Sequence, residues 1–594
     1  MLASKKLGPD DPANHADALR RDHKGWGAEG AEGSEIENHR SNASWRYVDR
    51  SSLPKGRRIV KLTWVYKVKR DGRKKARLCV QGCTQVPGVD YHQTFCSAMR
   101  GGTLRTLCAL AARMGLSMRR WDFVAAYLQG SLEPGEVVYC SPPPGYSTAE
   151  VDGELRLVPA DLSDGVNRLC LVQKPVYGMA QAGRRWQRSL FPWLLAWRGA
   201  DGAQLTQCTL DTCVFFCTRD VPTPSGARRE TLLIGCYVDD LFILSSHTDQ
   251  HSRYHEFTTD LSSSWEVEDE GEAADLLSVE IERADDHVCL RQTGYIERLM
   301  DTFAPDGKAS YSGQSYSSQQ SSAVPASPDL PQLVLDAVDQ DASEVDGVLL
   351  KAYQSIVGSL LYCAVNTRPD VAFAVGMLCR AMGKPTPALY DAAIRVLFYL
   401  SHHRDIGLRY GASDSDLSGM SDSDWAVRHS TSGHVFMYSL AAVSWSSKKQ
   451  ATIALSSCEA EIVALSEAAK EAKYLSEFLE ELGFGGTGPT SLATDNSGAR
   501  DLSYNPEHHE RVKHVDRRHF WVRELVETGL IAVPYVNTSD NLADFFTKPL
   551  AAKGFFSLRN VLMNVKRGSA SLARWRRGRN LPIRDITCTV DSAT

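Results

Sequence analysis

Two adjacent aspartates, Asp239 and Asp240, interrupt an apolar, β-rich run that occupies residues 232–244. Burying carboxylates is costly unless a cation or a hydrogen-bond donor compensates their charge. Two short strands joined by a tight turn can present such a pair to a divalent cation. An isolated Asp-Asp turn is more often simply exposed to solvent, so the pair needs support from elsewhere in the chain.

A third carboxylate, Asp122, lies in a strand-like stretch that is followed by a turn. Taken alone, it is a surface acid at a strand end. Together with Asp239 and Asp240 it can hold two Mg²⁺ (or Mn²⁺) ions, which would lower the pKa of an attacking hydroxyl and neutralise a triphosphate. Phosphoryl transfer depends on this positioning more than on a protein acid or base. The three aspartates therefore predict a two-metal site.

Charge is unevenly distributed along the chain, although its net value is −5 over 594 residues. Residues 55–77 contain eleven Lys or Arg and one acid, Asp71, whereas residues 265–286 are strongly acidic. A mildly acidic protein can therefore carry a basic groove for a polyphosphate, whose binding weakens with salt. The hydrophobic content of 43% and the charged content of 23% are ordinary for folded domains, and the length requires several of them.

Nothing in the sequence predicts a membrane span or a secretory signal, since residues 1–11 are polar and the longest apolar run is broken by two aspartates. The 15 cysteines contain no CxxC pair and suit a reducing compartment. We therefore expect an intracellular protein that does not bind a membrane. No ligand spacing fits a zinc site, although four histidines lie close together in sequence: His508, His509, His514 and His519.

Composition and periodicity divide the chain into six parts. Residues 1–40 are rich in Gly, Ala and Glu with little periodicity, and residues 310–327 are dominated by Ser, Gln and Tyr. A long helix is expected to begin at Ser456 and to end at Gly483. The predicted parts are a flexible leader (1–44), an α+β catalytic region (45–300), a Ser/Gln-rich linker (301–345), a helical connection (346–415), an α/β domain (416–550) and a basic tail (551–594).

Four carboxylates in the second half each lie beside a short motif: Asp422, Glu459, Asp495 and Asp544. On strand ends and helix starts, they can hold two metal ions that activate water and stabilise a leaving 3′-oxygen. Glu459 has a purely structural alternative, because Ser456 three residues earlier makes it part of a capping box. Asp424 is the alternative to Asp422.

Short motifs in both halves resemble copia-type retrotransposon polyproteins, over residues 45–300 and 345–550. The first half has the order and spacing of copia-type reverse transcriptases, with KARLCVQG (75–82), RRWDFVAAYLQG (119–130), PVYGMAQA (175–182) and YVDD (237–240). The second half is similar to the ribonuclease H of the same family, with STSG (430–433), SWSSKKQ (444–450), LSSCEAE (455–461) and KHVD (513–516).

The resemblance implies an α+β right-hand polymerase (fingers, palm and partial thumb) followed by an α/β ribonuclease H-like domain. It implies an RNA-directed DNA polymerase that also cleaves the RNA of hybrids, with two Mg²⁺ or Mn²⁺ ions in each active site. Its partners would be an RNA template, a DNA primer, RNA–DNA hybrid and dNTPs, with capsid and integrase as further polyprotein parts. A cytoplasmic virus-like particle or the nucleus would be its location.

The resemblance also assigns roles to individual residues. Asp122, Asp239 and Asp240 correspond to the polymerase metal ligands, Asp122 and Asp239 being the principal ones. Lys75 and Arg77 would contact the triphosphate, where Arg can bind phosphate oxygens bidentately. Tyr127 would close the sugar pocket, and Tyr177 and Gly178 would line the nucleotide pocket. A solvated basic face and ordinary core tyrosines are the alternatives.

Three departures from the family pattern leave a second hypothesis open. Ser278 stands where the family has Gly in its primer-holding strand, Ala180 replaces a Lys, and Phe-Ala-Pro-Val is here FCSA (95–98). The chain also begins without the capsid, protease or integrase portions. The alternative is therefore a domesticated or decayed copy that only binds nucleic acid. All seven predicted metal ligands are present, which favours an enzyme.

Overall fold

The computed structural model describes residues 10–68, 72–223, 226–311, 314–317, 324–339, 345–425, 429–504 and 516–565. The chain divides into two compact units. The first unit comprises Met1–Met99 and Arg119–Gly271, and the second comprises Arg100–Met118 and Glu272–Thr594. Both contain helices and strands, so the mixed α+β class is confirmed.

Helices and strands are numbered separately along the chain. The helices are α1 (His15–Trp26), α2 (Ala31–Ser41), α3 (Gly101–Met114), α4 (Ala126–Gln129), α5 (Ala182–Ala196), α6 (Arg253–Ser264), α7 (Thr293–Phe303), α8 (Leu330–Asp339), α9 (Gly347–Asn366), α10 (Ala372–Arg380), α11 (Pro387–His402), α12 (Ser457–Glu481), α13 (Ser497–Tyr504), α14 (Asp516–Glu527) and α15 (Ala552–Leu562). The strands are β1 (Trp45–Asp49), β2 (Ile59–Val60), β3 (Leu62–Val68), β4 (Lys74–Val80), β5 (Ser117–Phe123), β6 (Tyr139–Cys140), β7 (Tyr146–Val151), β8 (Glu154–Pro159), β9 (Arg168–Val172), β10 (Thr206–Gln207), β11 (Val214–Thr223), β12 (Gly226–Tyr237), β13 (Asp240–Ser245), β14 (Val267–Glu272), β15 (Asp275–Leu276), β16 (Val279–Ala284), β17 (His287–Arg291), β18 (Lys308–Tyr311), β19 (Gln314–Ser317), β20 (Leu408–Gly411), β21 (Ser418–Ser423), β22 (Thr431–Tyr438), β23 (Ala441–Lys449), β24 (Thr490–Thr494) and β25 (Ile531–Ala532).

A six-stranded sheet with the order β10-β11-β12-β13-β5-β14 supports the first candidate site. Its central hairpin, β12 and β13, is fully buried at Leu232, Ile234, Ile243 and Leu244. Because both faces of these strands are covered, their sequence is a continuous apolar run rather than an alternating one. The sheet order places β5, which carries Asp122, directly beside β13.

A separate two-stranded hairpin, β3 and β4, carries the basic strip. Its antiparallel register pairs Val65 with Arg77 and Lys67 with Lys75. Ala76, Leu78 and Val80 are buried, whereas the alternating Lys75 is exposed. Lys75 and Arg77 alternate with Ala76 and Leu78, so the two predicted phosphate-contacting side chains lie on the opposite face of β4.

The prediction of a flexible leader over residues 1–44 is wrong for the part that the structure describes. Residues 15–41 form α1 and α2, in which Ala18 and Trp26 are buried among the residues of the β3–β4 hairpin. The Glu32 side chain of α2 is fully buried as well. Tertiary packing therefore orders a segment whose Gly- and Glu-rich composition gives little helical signal.

The linker predicted over residues 301–345 is also partly folded. β18 pairs with β19, and α8 buries Leu330, Val334 and Ala337 at helical spacing. α8 contacts α10 and α11. The expected connection over residues 346–415 contains the helices α9, α10 and α11, followed by β20. Residues 312, 313, 318–323 and 340–344 of the predicted linker lie outside the described ranges.

Helix α9 is the described helix that is long and apolar enough to cross a membrane. Length and composition alone are weak evidence for a membrane span, because the core helix of a soluble protein passes the same test. Its Tyr353, Ile356, Val357 and Leu360 are fully buried in the structure. α9 packs against α10 and α11, as a core helix does.

A five-stranded sheet in the second unit supports the second candidate site. Its order is β23-β22-β21-β24-β25, with β21 antiparallel to β22 and parallel to β24. The long helix α12 packs across β21 and β22, and Ser456, where the helix was predicted to begin, caps its N-terminus. The basic tail residues 566–594 and His508, His509 and His514 lie outside the described ranges, as does the side chain of His519.

Candidate active sites

A strained two-residue turn presents the aspartate pair between β12 and β13. Val238 and Asp239 form this turn, and Val238 has a φ of 59°, a region that glycine favours and β-branched residues rarely enter. Two hydrogen bonds hold the turn: Trp186 Nε1 donates to the Val238 carbonyl at 2.5 Å, and the Phe123 amide donates to the Asp239 carbonyl at 3.0 Å. Such strain persists where surrounding contacts enforce it, and it is common at functional sites.

The structure brings Asp122 into electrostatic reach of Asp239 and Asp240. Burial, together with repulsion from Asp239 and Asp240, raises the pKa of the Asp122 carboxyl to about 6. Burial likewise raises the pKa of Asp240, whereas the nearby Arg120 lowers it. The three predicted ligands therefore form a concentration of negative charge that favours a cation.

Arg120 and Glu270 are neighbours of this site that the sequence did not reveal. Arg120 Nη2 lies 2.8 Å from Asp240 Oδ1, and Arg120 Nη1 lies 3.2 Å from Glu270 Oε2. Arg120 precedes Asp122 by two residues on β5, so their side chains share one face of the sheet. Because Asp240 already has a cationic partner, Asp122 and Asp239 are the better-placed metal ligands.

The predicted nucleotide-binding residues form a stack near the same carboxylates. The Tyr127 and Tyr177 ring centroids are 4.8 Å apart, and Arg77 Cζ lies 4.8 Å from the Tyr177 centroid. Burial, together with the Asp239 charge, raises the pKa of the Tyr127 hydroxyl to about 12. Arg77, Tyr127 and Tyr177 are thus brought together beside Asp239, while Lys75 lies two residues from Arg77 on β4.

Gly178 makes a close approach that a side chain would prevent. Its φ is 87°, and a Cβ atom there would overlap the Val80 carbonyl oxygen. The preceding Tyr177 carbonyl accepts a 2.7 Å hydrogen bond from the Val80 amide. The Tyr177–Gly178 loop is therefore fixed directly against β4, the strand that carries Lys75 and Arg77.

The second site is a tight carboxylate cluster. Ligand atoms of Asp422, Asp495 and Asp544 all lie within 4.8 Å of one another, a grouping able to hold a metal ion, and within the described ranges these three residues alone form such a group. Asp422 lies on β21 and Asp495 directly follows its parallel neighbour β24. The turn that carries Asp544 is fastened to β21, because Asn541 Nδ2 donates to the Ser421 carbonyl at 3.1 Å.

Glu461, rather than the predicted Glu459, lies within electrostatic reach of this cluster. Burial raises the pKa of the Glu461 carboxyl to about 9, and the charges of Asp422 and Asp495 contribute. Its Oε2 atom is buried and accepts no hydrogen bond among the described residues. A buried carboxylate oxygen without a donor, next to two further carboxylates, fits a metal ligand.

Glu459 instead belongs to the start of α12. Its Oε2 accepts a 2.7 Å hydrogen bond from the Leu455 amide, and its own amide donates to Ser456 Oγ at 3.1 Å. This is the capping role weighed above, so Glu461 replaces Glu459 in the predicted ligand set. The helical spacing could have distinguished the two glutamates. Glu461 lies four residues before the buried Leu465 and so shares its face of the helix, whereas Glu459 lies about 200° away from Glu461 around the helix axis.

Three polar neighbours complete the surroundings of the cluster. Lys548 Nζ lies 2.7 Å from Asp544 Oδ1, and the Thr547 hydroxyl donates to Asp422. Burial raises the pKa of Asp544 to about 7, although Lys548 lowers it. The alternative ligand Asp424 accepts hydrogen bonds from the Thr431 amide and hydroxyl. The Asp424 carboxylate is therefore already hydrogen-bonded to Thr431, and Asp422 remains the better candidate for a metal ligand.

The structure shows the local contacts at two of the three positions that depart from the family pattern, Ser278 and Ala180. Leu277 and Ser278 form the turn between β15 and β16 with φ values of 56° and 57°. The Tyr362 hydroxyl donates to the Leu277 carbonyl and holds this turn. At the second departure, the Ala180 amide donates to Gln85 Oε1 at 2.8 Å. Ser278 thus occupies a conformation that glycine adopts more easily.

Comparisons with known proteins identify the family that the sequence motifs resemble. The family of reverse transcriptases (RNA-dependent DNA polymerases) matches residues 42–310. The Pol polyprotein from transposon TNT 1-94 of Nicotiana tabacum is 32% identical over 539 residues, covering 88% of this chain and 36% of that protein. The corresponding protein of transposon RE1 from Arabidopsis thaliana is 31% identical, covering 88% and 33%. The Ty1-DR6 Gag-Pol polyprotein of Saccharomyces cerevisiae is 23% identical, covering 86% and 27%.

The chain thus spans about a third of the length of these relatives. Among solved structures, the foamy viral protease-reverse transcriptase dRH in complex with dsDNA matches with a TM-score of 0.44 and 10% identity, covering 86% of this chain and 69% of that one. The sequence relatives confirm the resemblance drawn from the motifs. The chain belongs to the copia/Ty1-type retrotransposon Pol polyproteins and contains their reverse transcriptase domain.

Proposed function

We propose that this chain is an RNA-directed DNA polymerase that copies RNA or DNA templates by two-metal phosphoryl transfer. The observation that carries the proposal is the convergence of Asp122 on the Asp239–Asp240 turn, beside the stack of Arg77, Tyr177 and Tyr127. Its substrates would be dNTPs and a DNA-primed template. Capsid and integrase parts of the polyprotein would be partners, in a virus-like particle or the nucleus.

The residues at the first site fit magnesium or manganese. Carboxylate oxygens are the ligands that these hard cations prefer, and the raised pKa of Asp122 reflects negative charge that a cation would balance. When bound, two such ions would activate the primer hydroxyl and neutralise the leaving pyrophosphate. Asp122 and Asp239 would hold them, with Asp240 kept in place by Arg120.

The surrounding side chains would bind and orient the nucleotide. The guanidinium of Arg77 is planar and permanently charged, so it can bind phosphate oxygens bidentately, and Lys75 on the same strand adds a second positive charge. The adjacent, mutually tilted rings of Tyr127 and Tyr177 would enclose the sugar. Gly178 allows their loop to lie against β4.

Primer extension by the full chain tests the polymerase proposal. The assay uses an RNA template, a DNA primer, dNTPs and Mg²⁺ or Mn²⁺. Asp239→Asn should abolish synthesis, and Asp161→Asn, at an exposed position in the same unit, should not. Absence of template-dependent synthesis by the wild-type protein with either metal would refute the proposal. Hybrid binding without any reaction would favour the nucleic-acid-binding alternative.

We further propose that the second site hydrolyses the RNA strand of RNA–DNA hybrids. This proposal rests on the cluster of Asp422, Asp495 and Asp544 within 4.8 Å and on the buried carboxylate Glu461 beside it. Two divalent ions would supply an activated water and stabilise the leaving 3′-oxygen. The four carboxylates would hold the ions, and Lys548 would help to hold Asp544 in place.

Cleavage of a hybrid with labelled RNA tests this second activity without DNA synthesis. Asp495→Asn and Glu461→Gln should each abolish cleavage, because each removes a negative charge from the cluster. Glu459→Gln should retain it, since that side chain serves the helix start. Loss of cleavage in Glu459→Gln together with retention in Glu461→Gln would reverse the assignment. Asp239→Asn should leave cleavage unchanged.

A further inference from the structure

Helices α1 and α2 pack against the strand that carries the predicted phosphate-binding side chains. The Trp26 ring meets Tyr66 of β3 edge-on, with centroids 5.4 Å apart. Asp22 pairs with Lys74 at the start of β4. Both helices contact β4. They precede residue 42, where the match to the reverse transcriptase family begins.

One edge of β4 pairs with β3, and α2 occupies part of the other edge. On that outer edge, the Leu78 amide donates to Glu35 Oε1 at 2.9 Å, and the Val80 amide donates to the Tyr177 carbonyl at 2.7 Å. Amides of alternate residues point to the same side of a strand. Glu35 and the Tyr177 loop are therefore consecutive partners along one strand edge, and the Glu35 contact is made at Leu78, the residue next to Arg77.

Glu35 also lies within electrostatic reach of the Tyr177 side chain. Burial raises the pKa of the Tyr177 hydroxyl, Arg77 opposes this shift, and the charges of Asp239 and Glu35 add to it. Arg77 Cζ lies 4.8 Å from the centroid of the same ring. Glu35 therefore contacts the backbone of β4 and influences the ring on which Arg77 stacks.

A second buried carboxylate fixes the position of α2. Glu32 has a side-chain exposure of 0%. Its Oε2 accepts a 2.8 Å hydrogen bond from the Tyr146 hydroxyl, and its Oε1 contacts the Tyr66 hydroxyl and His15 Nδ1. A buried carboxylate with several hydrogen-bond partners has little freedom to move. The helix thus presents Glu35 to β4 as a fixed acceptor.

We propose that Glu35 is a positioning residue for nucleotide binding, which holds β4 so that Arg77 and Tyr177 are preorganised for the triphosphate. This inference rests on the proposed polymerase function. An unpaired Leu78 amide would loosen the strand edge, and the Arg77 guanidinium would then be ordered only when nucleotide binds. Preorganised groups bind more tightly because less freedom is lost on binding. The effect should appear in nucleotide affinity rather than in the chemical step.

The test compares Glu35→Leu, which removes the acceptor, with Glu35→Gln, which keeps an acceptor oxygen. Glu37→Leu is the control, because Glu37 lies on the same helix but is exposed and pairs with Arg40. For Glu35→Leu we expect a dNTP KM raised about tenfold to 150-fold with kcat within about twofold, the range expected for one lost hydrogen bond to a charged group. Glu35→Gln and Glu37→Leu should stay within about twofold of the wild type.

Two measurements keep this inference separate from the polymerase proposal. The first is the equilibrium Kd for dATP and Mg²⁺ on a primer–template ending in a dideoxynucleotide, which requires no synthesis. The second is amide hydrogen exchange at Leu78, which should be faster in Glu35→Leu than in wild type and Glu37→Leu. An unchanged Kd in a folded Glu35→Leu protein would overturn the inference. Wild-type binding without extension would refute the polymerase proposal alone.

Discussion

The guanidinium of Arg120 donates a 2.9 Å hydrogen bond to Asp240, one of the three aspartates at the polymerase candidate site. Both side chains are largely shielded, with exposures of 23% and 15%. The arginine thus stands in the protein as a fixed cation beside the carboxylates that would bind metal ions. If those carboxylates bind a metal ion, Arg120 links the stability of the first unit to that binding.

Replacing Arg120 with Gln should lower the stability of the first unit by about 1–2 kcal/mol in metal-free buffer, because Asp240 loses its partner in a shielded environment. Added Mg²⁺ should narrow the difference, since a bound cation would balance the same charge. Thermal unfolding of both proteins, with EDTA and with Mg²⁺, measures this directly. A difference in Tm that Mg²⁺ leaves unchanged would contradict a metal site at these aspartates.

Glu461 should make the metal-free second unit less stable as the pH rises. Its pKa is raised from 4.5 to about 9, so the fold favours the protonated form. The stabilisation by that proton is complete below pH 4.5 and is lost progressively as the pH rises towards 9. In EDTA at alkaline pH, Glu461→Gln should therefore unfold at a higher temperature than the wild type. A gain of about 1–2 kcal/mol in the free energy of unfolding corresponds to a rise in Tm of a few degrees.

The matched variant for that experiment is Glu459→Gln, two residues earlier on α12. It weakens the contact with the Leu455 amide and should not raise the Tm in EDTA. Mg²⁺ should remove the advantage of Glu461→Gln, because wild-type Glu461 would then be a ligand. Equal Tm values for wild type and Glu461→Gln across the whole pH range would contradict a buried, charge-repelled carboxylate.

Local patterns were enough to predict the parts of the sites that depend on single strand ends. Asp239 and Asp240 interrupt an apolar run that had to turn there, and the structure has a two-residue turn at that place. Asp422 lies near the end of β21 and Asp495 directly follows β24, and the sheet sets these two strands side by side. In each case the chain direction and the burial of neighbouring residues fix the carboxylate, and both are visible in the sequence.

Other features depend on tertiary contacts that periodicity does not reveal. Glu32 and Glu35 are buried because they meet Tyr146 and the edge of β4, which lie far away in sequence. Arg120 gains its role only when β5 lies beside β13. Glu459 and Glu461 both carry the right chemistry, and only the face of α12 that packs on the sheet distinguishes them.

The turn at Leu277 and Ser278 should gain stability from the residue that the family pattern has. Ser278 has a φ of 57°, a conformation that costs non-glycine residues about 1 kcal/mol or more. Ser278→Gly should therefore increase the free energy of unfolding of the second unit by about 0.5–1 kcal/mol, after the flexibility that Gly gives the unfolded chain is subtracted. Its Tm should rise accordingly. Ser278→Ala is the control, since it removes the hydroxyl and keeps the strained conformation. A lower Tm for Ser278→Gly than for Ser278→Ala would contradict strain at this turn.

Gly178 offers the sharpest test of the contact between the nucleotide-pocket loop and β4. Gly178→Ala must tolerate both a φ of 87° and an overlap of its Cβ atom with the Val80 carbonyl. Gly165→Ala provides the control, because Gly165 has a φ of 79° but open space around its Cβ position. The control should lose about 1–2 kcal/mol from backbone strain alone, with the dNTP KM unchanged. Gly178→Ala should lose more stability and raise the KM, because the loop must move away from β4. Equal losses in the two variants would show that the contact with Val80 contributes nothing to the pocket.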